Sequence, residues 1–446
     1  MIVVIGAGPA GLAAAWGAAA AGHDVTVVER AGHVGGMAAS RTVAGMRVDH
    51  GSHRLHPSTD PALLADLDRL LGDDLQVRTR NGRIRVAGRW VGFPLRAGDL
   101  VRSLPPRLAA RAALDAATGP LRRPRADTFG EVLRAGLGPA VAGAVYAPYA
   151  KKLWDAEPAE LSGELARRRV SASSPLAIAR RLAPGRGGRT FLYPRRGFGQ
   201  ITDAIADAAV TDGAAIRLGV GVTGVAAGGR VTLDDRSTLD ATTVLSTMPV
   251  TALGALLGAP AVELRHRAMV IVWLVLDVPR WTAFDAHYLP DPANPVARVS
   301  EPRNYRTSAD DPARTTVLCA ELPCWEGDAM WTASPDDLGA LVADALAADG
   351  LPRPHPAALE VARLPRVYPV YRAGFDWELA RLESWLAAEA PAVVTLGRQG
   401  LFVPDNTHHA LAMGREAAAA LRQDGTFDAT AWAVARAGFR GNVVED

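Results

Sequence analysis

Residues 1–30 read MIVVIGAGPAGLAAAWGAAAAGHDVTVVER, and this stretch decides the fold. Ile2–Ile5 is a short apolar run of the kind that fills the centre of a parallel sheet. Gly6–Gly11 then spells G-x-G-x-x-G, Pro9 to Ala21 an Ala-rich helix ended by Gly22, and Asp24–Glu29 a second strand. Together they make one βαβ crossover unit. Gly6 admits the tight turn, Gly8 lets backbone N–H groups reach a pyrophosphate, and Gly11 lets helix pack on strand. Pro9 and Ala10 open the helix, whose positive end receives the anion. Glu29 closes the second strand where a carboxylate can accept both ribose hydroxyls, which argues against a 2′-phosphate. A lone G-x-G-x-x-G is a weak signal; strand, helix, spacing and acid together specify a dinucleotide site.

Working outward, 446 residues suggest two or three domains or one interleaved pair, and 49% hydrophobic composition excludes disorder as the main state. Forty-nine basic against 47 acidic side chains give no general attraction for nucleic acid. Cys319 and Cys324 make neither a disulfide framework nor a four-ligand zinc site, so a reducing, cytoplasmic setting and no metal are expected. The apolar N-terminus lacks a basic n-region and reads as folded structure rather than a signal peptide. The longest candidate apolar run, Ala268–Leu276, falls well short of the ~18 residues a spanning helix needs. The reading is a soluble protein, with peripheral membrane contact left open.

Along the chain, Pro57–Leu71 has helical periodicity, Ile84–Trp90 reads as a strand, and Gly98 to about Arg189 as a mainly helical insertion. Gly197–Ala209 is a helix; Ile216–Val225, Arg230–Leu233 and Thr243–Thr247 are strands. Val270–Asp277 and Thr316–Leu322 alternate as strands of a second sheet. Val393–Leu396 is a strand and Asn406–Leu421 a helix. The expected division is a cofactor domain in three pieces (1–97, 191–255 and 391–446), a helical insertion (98–190) and a substrate-domain sheet (256–390).

Glu29–Arg30, followed by Val34–Gly35–Gly36–Met37 and later Val48–Asp49–His50–Gly51–Ser52–His53, resembles the extended FAD fingerprint of the amine-oxidase and protoporphyrinogen-oxidase superfamily. There the second glycine pair approaches the diphosphate, and Arg41 follows as a further contact. Tyr193–Gln200 with Val222–Val225 resembles the superfamily's adenine-side segment, although Arg196 stands where a glycine is usual. Ser246–Pro249 is similar to its turn near the flavin, which brings in Met248. Leu396–Gly400 with Asp405–Thr407 resembles its terminal segment, which brings in Gly397, Arg398, Phe402, Asn406 and Thr407. The resemblance implies an α/β fold, a Rossmann-like FAD-binding domain of the GR2 type interleaved with a mixed-sheet plus helical substrate domain. It also implies FAD, held extended with its ring between His53 and residues 397–407.

Other patterns are similar to UDP-galactopyranose mutases: Gly51–His56, Tyr149–Trp154, Arg298–Glu301 and Tyr368–Pro369. The resemblance makes His53, His56, Arg298 and Tyr368 the catalytic candidates. Against it, Leu401–Phe402–Val403–Pro404 replaces an arginine- and tyrosine-bearing stretch. Valine and proline cannot donate to phosphate through their side chains, which favours a less phosphorylated substrate. The leading expectation is therefore an FAD-dependent oxidoreductase taking hydride from a small organic substrate at a C–N or C–C bond. The alternative is a pyranose–furanose mutase acting on a nucleotide sugar through flavin N5. Oligomeric state stays open.

Blander readings compete at several positions. Tyr146, Tyr149, Trp154, Tyr368 and Tyr371 are core by default, with two or three expected at the pocket. Arg298 and Glu301 can hold an anion or form a solvated pair on a strand edge. Arg167–Arg169 and Arg180–Arg181 are a solvated face or a docking patch. Of the consecutive His408 and His409, at most one can face the flavin, because neighbouring helical residues point ~100° apart. The cysteines read as buried packing. Replacing Glu29 by Ala should lower FAD retention; an unchanged holo/apo absorbance ratio would refute the ribose role.

Overall fold

A computed structural model of the chain describes residues 1–95, 103–170 and 190–444. Two sheets organise it. The first is five-stranded and parallel, in the order 393–395, 243–246, 2–5, 25–29, 215–218. Its central strands, Ile2–Ile5 and Val25–Glu29, are almost wholly buried, with helices packed on one face and the small antiparallel sheet on the other. The second has seven strands, in the order 358–369, 266–276, 316–324, 298–300, 286–288, 82–86, 89–93. A small antiparallel sheet (222–225, 230–233, 238–240) flanks the first.

The helix Pro9–Ala20 lies against the helices Thr407–Ala419 and Gln200–Thr211. Its contact with the former is unusually close because small residues meet there. A Cβ on Gly414 would sit 2.2 Å from the Ala10 carbonyl oxygen, and one on Gly17 2.8 Å from Ala418 Cβ. The far end of the chain is thereby brought onto the helix that opens the dinucleotide motif.

Several elements differ from expectation. Ile84–Trp90 is not one strand but the bend of a hairpin, Gly82–Val86 with Arg89–Phe93. The turn residues Ala87 and Gly88 both have positive φ, 47° and 77°, as a two-residue turn of this hand requires. Ala44 and Gly45 repeat the device in the hairpin Ser40–Val43 with Met46–Asp49. Alanine stands where asparagine or aspartate would announce such a turn, so the sequence hid both. The hairpin 82–93 joins the seven-stranded sheet through parallel pairing of Gly82–Val86 with Ala286–Tyr288, although the division at residue 97 put it in the cofactor domain. The helix expected from Pro57 begins at Pro61, where the Asp60 carboxylate caps the amides of Ala62 and Leu63. The insertion is helical over 106–118, 129–137, 147–154 and 163–170. The Arg180–Arg181 run lies outside the described residues.

Asp49, at the end of the hairpin 40–49 and 1% exposed, joins the segment that enters the Gln200–Thr211 helix to the seven-stranded sheet. Its carboxylate accepts from Ser40 Oγ (2.6 Å), Tyr193 Oη (2.6 Å) and the Phe198 amide (3.0 Å). Its carbonyl accepts from Trp273 Nε1 at 3.1 Å, on a central strand of the larger sheet. Burial raises the Asp49 pKa, and these bonds work to lower it. Asp49→Ala should therefore cost at least about 2 kcal/mol, since three donors lose a buried acceptor; a loss under ~0.5 kcal/mol in denaturant unfolding would contradict this. Gly414→Val should lower the melting temperature, as overpacking separates the two helices.

Candidate active site

At the nucleotide end the local geometry follows the sequence closely. Gly6 adopts φ +99° and donates to the Val28 carbonyl at 2.8 Å. A Cβ on Gly11 would fall 1.9 Å from the Gly6 carbonyl oxygen, so only glycine lets helix and turn approach this closely. A Cβ on Gly8 would meet nothing within 4 Å: the space above it is open. Gly8 caps the helix with no side-chain acceptor for the first amides, and Pro9 sits at its start. Gly35 bonds to the Ala7 carbonyl at 2.8 Å, and a Cβ on Gly36 would lie 3.3 Å from Gly8 Cα, so the second glycine pair edges the same opening. Glu29 is held at the strand end by the amides of Ala7 and Ala31, both 2.9 Å away. Val220 on the way to Val222 donates to the Glu29 carbonyl, which sets the small sheet beside the ribose position. An open anion hole at a helix start, with a carboxylate at the neighbouring strand end, fits a dinucleotide lying along this edge.

Other expected contacts are placed differently. Arg30 is exposed at the surface. Arg41 pairs with Glu360 at 2.5 Å and lies over the Trp273 ring, so its guanidinium is engaged away from the glycine pair. Met37 is half-buried beside Gln399. Met248 packs on the apolar cluster under the first sheet. Phe402 is fully buried against His266, Tyr371 and Phe375, so its ring belongs to the core and only its backbone can touch a cofactor.

At the other end a cleft of about 740 Å³, its open mouth included, is lined by Ser52, His53, Arg298, Tyr368, Arg398, Asn406 and Thr407, all singled out by sequence, and by Tyr149. Its wall also holds Arg54, Arg80, Arg169 and Val444, none of which sequence reasoning had placed in a pocket, and, among the described residues, a single carboxylate, Asp405. Val444 reaches the wall because its amide donates to the Arg168 carbonyl at 2.7 Å. Gly397, with φ +74°, starts the turn that carries Arg398. Arg398 is fixed by Asp405, with Nε to Oδ1 and Nη2 to the backbone oxygen both at 2.5 Å. Asn406 caps the Thr407–Ala419 helix in a reciprocal box with His409, which accounts for that histidine. His408 is buried, 6.2 Å from the His56 ring.

Arg298 departs from the reading that paired it with Glu301 on a solvated strand edge. Its partner is not Glu301 but Glu321, which strand register sets directly opposite; the contact is bidentate, 2.8 Å at each oxygen. Glu301 is buried elsewhere, accepting from the amides of Trp281 and Thr282. Glu321 also accepts from the Ser52 amide at 2.8 Å beside Gly51, which ties the arginine to the segment that carries His53. Burial works against the Arg298 charge, but Glu321 outweighs it and keeps the group cationic. Arg54 is likewise held, by Asp285 at 3.2 Å and over the Tyr305 ring.

The remaining candidates divide. His53 stacks on Phe198, 5.2 Å between rings. Burial first, then the Arg298 and Arg398 cations, push its pKa down to about 3, so it is a neutral imidazole at pH 7. His56 is not among the residues that line the cleft, and its Nδ1 is engaged by Ser58. Of the five aromatic candidates, Tyr149 and Tyr368 line the cleft, while Trp154 and Tyr371 are core. The basic run divides: Arg167 is exposed and pairs with Asp127 at the surface, Arg168 is buried on Glu164, and Arg169 lies over Trp154 and Tyr368. Both thiols are buried, as expected.

His53, His266 and His287 all have depressed pKa values, about 3, about 4 and about 3, with burial the first cause in each. The unfolded chain, with histidines near ~6.5, binds more protons below that pH, so stability should fall as pH drops from ~6.5 toward ~4. His287 accepts from Arg83 Nε at 2.8 Å; His287→Asn should flatten that decline in pH-resolved melting, and an unchanged slope would count against it.

With this geometry in hand, comparison with known proteins is informative. The family profile of flavin-containing amine oxidoreductases matches residues 9–421. A crystal structure of reduced UDP-galactopyranose mutase superposes with a TM-score of 0.80 at 20% identity, covering 99% of this chain and 98% of that one. A putative protoporphyrinogen oxidase from Exiguobacterium sp. 255-15 gives 0.72 at 20% identity, covering 93% and 96%. Cyclohexylamine oxidase from Brevibacterium oxydans IH-35A gives 0.66 at 17%, covering 94% and 98%. These likenesses establish a shared fold. No curated protein matches at the level of sequence. The chain belongs to the flavin-containing amine oxidoreductase family.

Proposed function

We propose that the chain holds FAD and acts on an organic substrate carrying phosphate, of the nucleotide-sugar class, with isomerisation rather than net oxidation as the outcome. One observation carries this reading: Arg54, Arg80, Arg169, Arg298 and Arg398 surround a cleft whose wall, among the described residues, has one carboxylate. An amine arrives as a cation and is repelled there; an anion is drawn in. The clamp that Val403 and Pro404 fail to provide has a substitute in arginines from other elements. When bound, the flavin supplies either a hydride acceptor or, once reduced, a nucleophilic ring nitrogen.

The chain's own residues bind and orient. Gly6–Gly11, Gly35 and Gly36 hold the diphosphate, Glu29 the ribose, and the Gly397–Thr407 segment the ring end. Arg298 uses Nε and Nη2 on Glu321, which leaves Nη1 for a substrate oxygen. Tyr149 and Tyr368 offer ring faces for a sugar or base. His53, neutral, serves as a hydrogen-bond partner and not as an acid.

Hydride abstraction is the second reading. It is supported by the apolar Val403–Pro404 pair, whose side chains offer phosphate nothing. Two conditions separate the readings. Turnover of UDP-hexoses only after dithionite reduction, with no oxidant consumed, is expected. Flavin bleaching by an amine or other substrate under nitrogen, with recovery in air, would overturn it in favour of oxidation. Arg298→Ala should raise KM at least about tenfold with the flavin spectrum intact, since a charged hydrogen bond contributes ~1.5–3 kcal/mol. Loss of FAD instead would move Arg298 out of the substrate pocket.

A further inference from the structure

The Arg167–Arg169 run is engaged within the protein, yet another basic segment is turned outward. The helix Pro106–Thr118 has no buried side chain, and Leu108 and Ala109 on its inner side only partly cover it. Arg107, Ala110, Arg111, Leu114 and Ala117 follow helical spacing along one face, and all are exposed. Leu114 is 65% exposed, and Leu121 just beyond the helix is 84% exposed. Arg123 and Arg125 extend the exposed basic stretch.

The nearby acids are engaged. Asp115, the carboxylate of this helix, turns inward to accept from Arg122 Nη2 at 3.1 Å and the Ala140 amide at 2.8 Å. Asp127 pairs with Arg167 and Glu131 with Arg134. What faces outward is two bare leucines among alanines, bordered by guanidinium groups. Single exposed leucines are ordinary; one on a helix with no buried side chain and a second just beyond its end, both beside exposed arginines, are not.

We propose that this face docks on the surface of an anionic lipid bilayer, the leucines entering the headgroup boundary and the arginines meeting lipid phosphates. Charge complementarity favours this occupant. A second copy packed two-fold on the same face would set arginines against arginines. A nucleic acid would leave Leu114 and Leu121 in water. The surface is separate from the FAD cleft, so this inference does not depend on the reading of that site.

Holoenzyme sedimented with phosphatidylcholine vesicles, with and without about one-third phosphatidylglycerol, tests it. Binding at least roughly tenfold stronger to the anionic vesicles, weakening with added salt, is expected. Leu114→Asp with Leu121→Asp, and separately Arg107→Glu with Arg111→Glu, should each lose about tenfold. Flavin absorbance and melting temperature should stay unchanged, because the replaced side chains are exposed. Equal binding to both vesicle types, or undiminished binding of the leucine variant, overturns the proposal. So does a dimer that the leucine variant abolishes, or binding of polyuridylate that competes the vesicles away.

Discussion

One buried carboxylate holds the arrangement together. Asp49 ends a short hairpin, takes hydrogen bonds from the segment that enters the Gln200–Thr211 helix, and offers its carbonyl to the Trp273 indole on the larger sheet. A carboxyl group kept this far from water is tolerable only when it is hydrogen-bonded, and three donors meet it. The four residues after it are His50, Gly51, Ser52 and His53. The segment that lines the cleft therefore leaves from the point where the approach to the Gln200–Thr211 helix is tied to the seven-stranded sheet, and its position is inherited from both.

The cleft applies the same rule to cations. Arg54, Arg298 and Arg398 each have a carboxylate partner set back from the cavity or in its wall: Asp285, Glu321 and Asp405. Those partners keep the guanidinium groups charged despite burial and limit their rotation. Pre-set donors bind an oxyanion with less ordering than free arginine chains would. Glu321 has a second duty in holding the Ser52 amide, so the anion-facing arginine and the segment beside His53 share one anchor.

What could be read from sequence was what is local. Gly6, Gly8, Gly11 and Glu29 lie within one βαβ unit, whose geometry follows from spacing alone, and the structure places each of them at the expected edge. The cleft was legible only in part because sheet register builds it. Arg298 and Glu301 are three apart on extended chain, so they cannot share a strand face; Arg298 instead meets the residue across the ladder, Glu321. Asp285 meets Arg54 through a sheet whose two-residue Ala-Gly turn carried no usual turn signal. His56 and Phe402 were placed at the cofactor by neighbourhood, but side-chain direction took the first to Ser58 and the second into the core. Arg169 was counted as one of three like charges, though successive helical positions point in different directions.

The parallel sheet draws its strands from 2–5, 25–29, 215–218, 243–246 and 393–395, and Gly17 finally meets Ala418. On a ribosome adding ~5–20 residues per second, the opening helix therefore waits roughly 20–80 s for its partner. Throughout that interval the part of its alanine-rich surface that later meets Thr407–Ala419 has no native cover, although Gln200–Thr211 arrives earlier on another side. Biosynthesis of this protein is thus a problem of delayed closure, and chaperone demand should be heaviest on nascent chains that have not yet released their final helices.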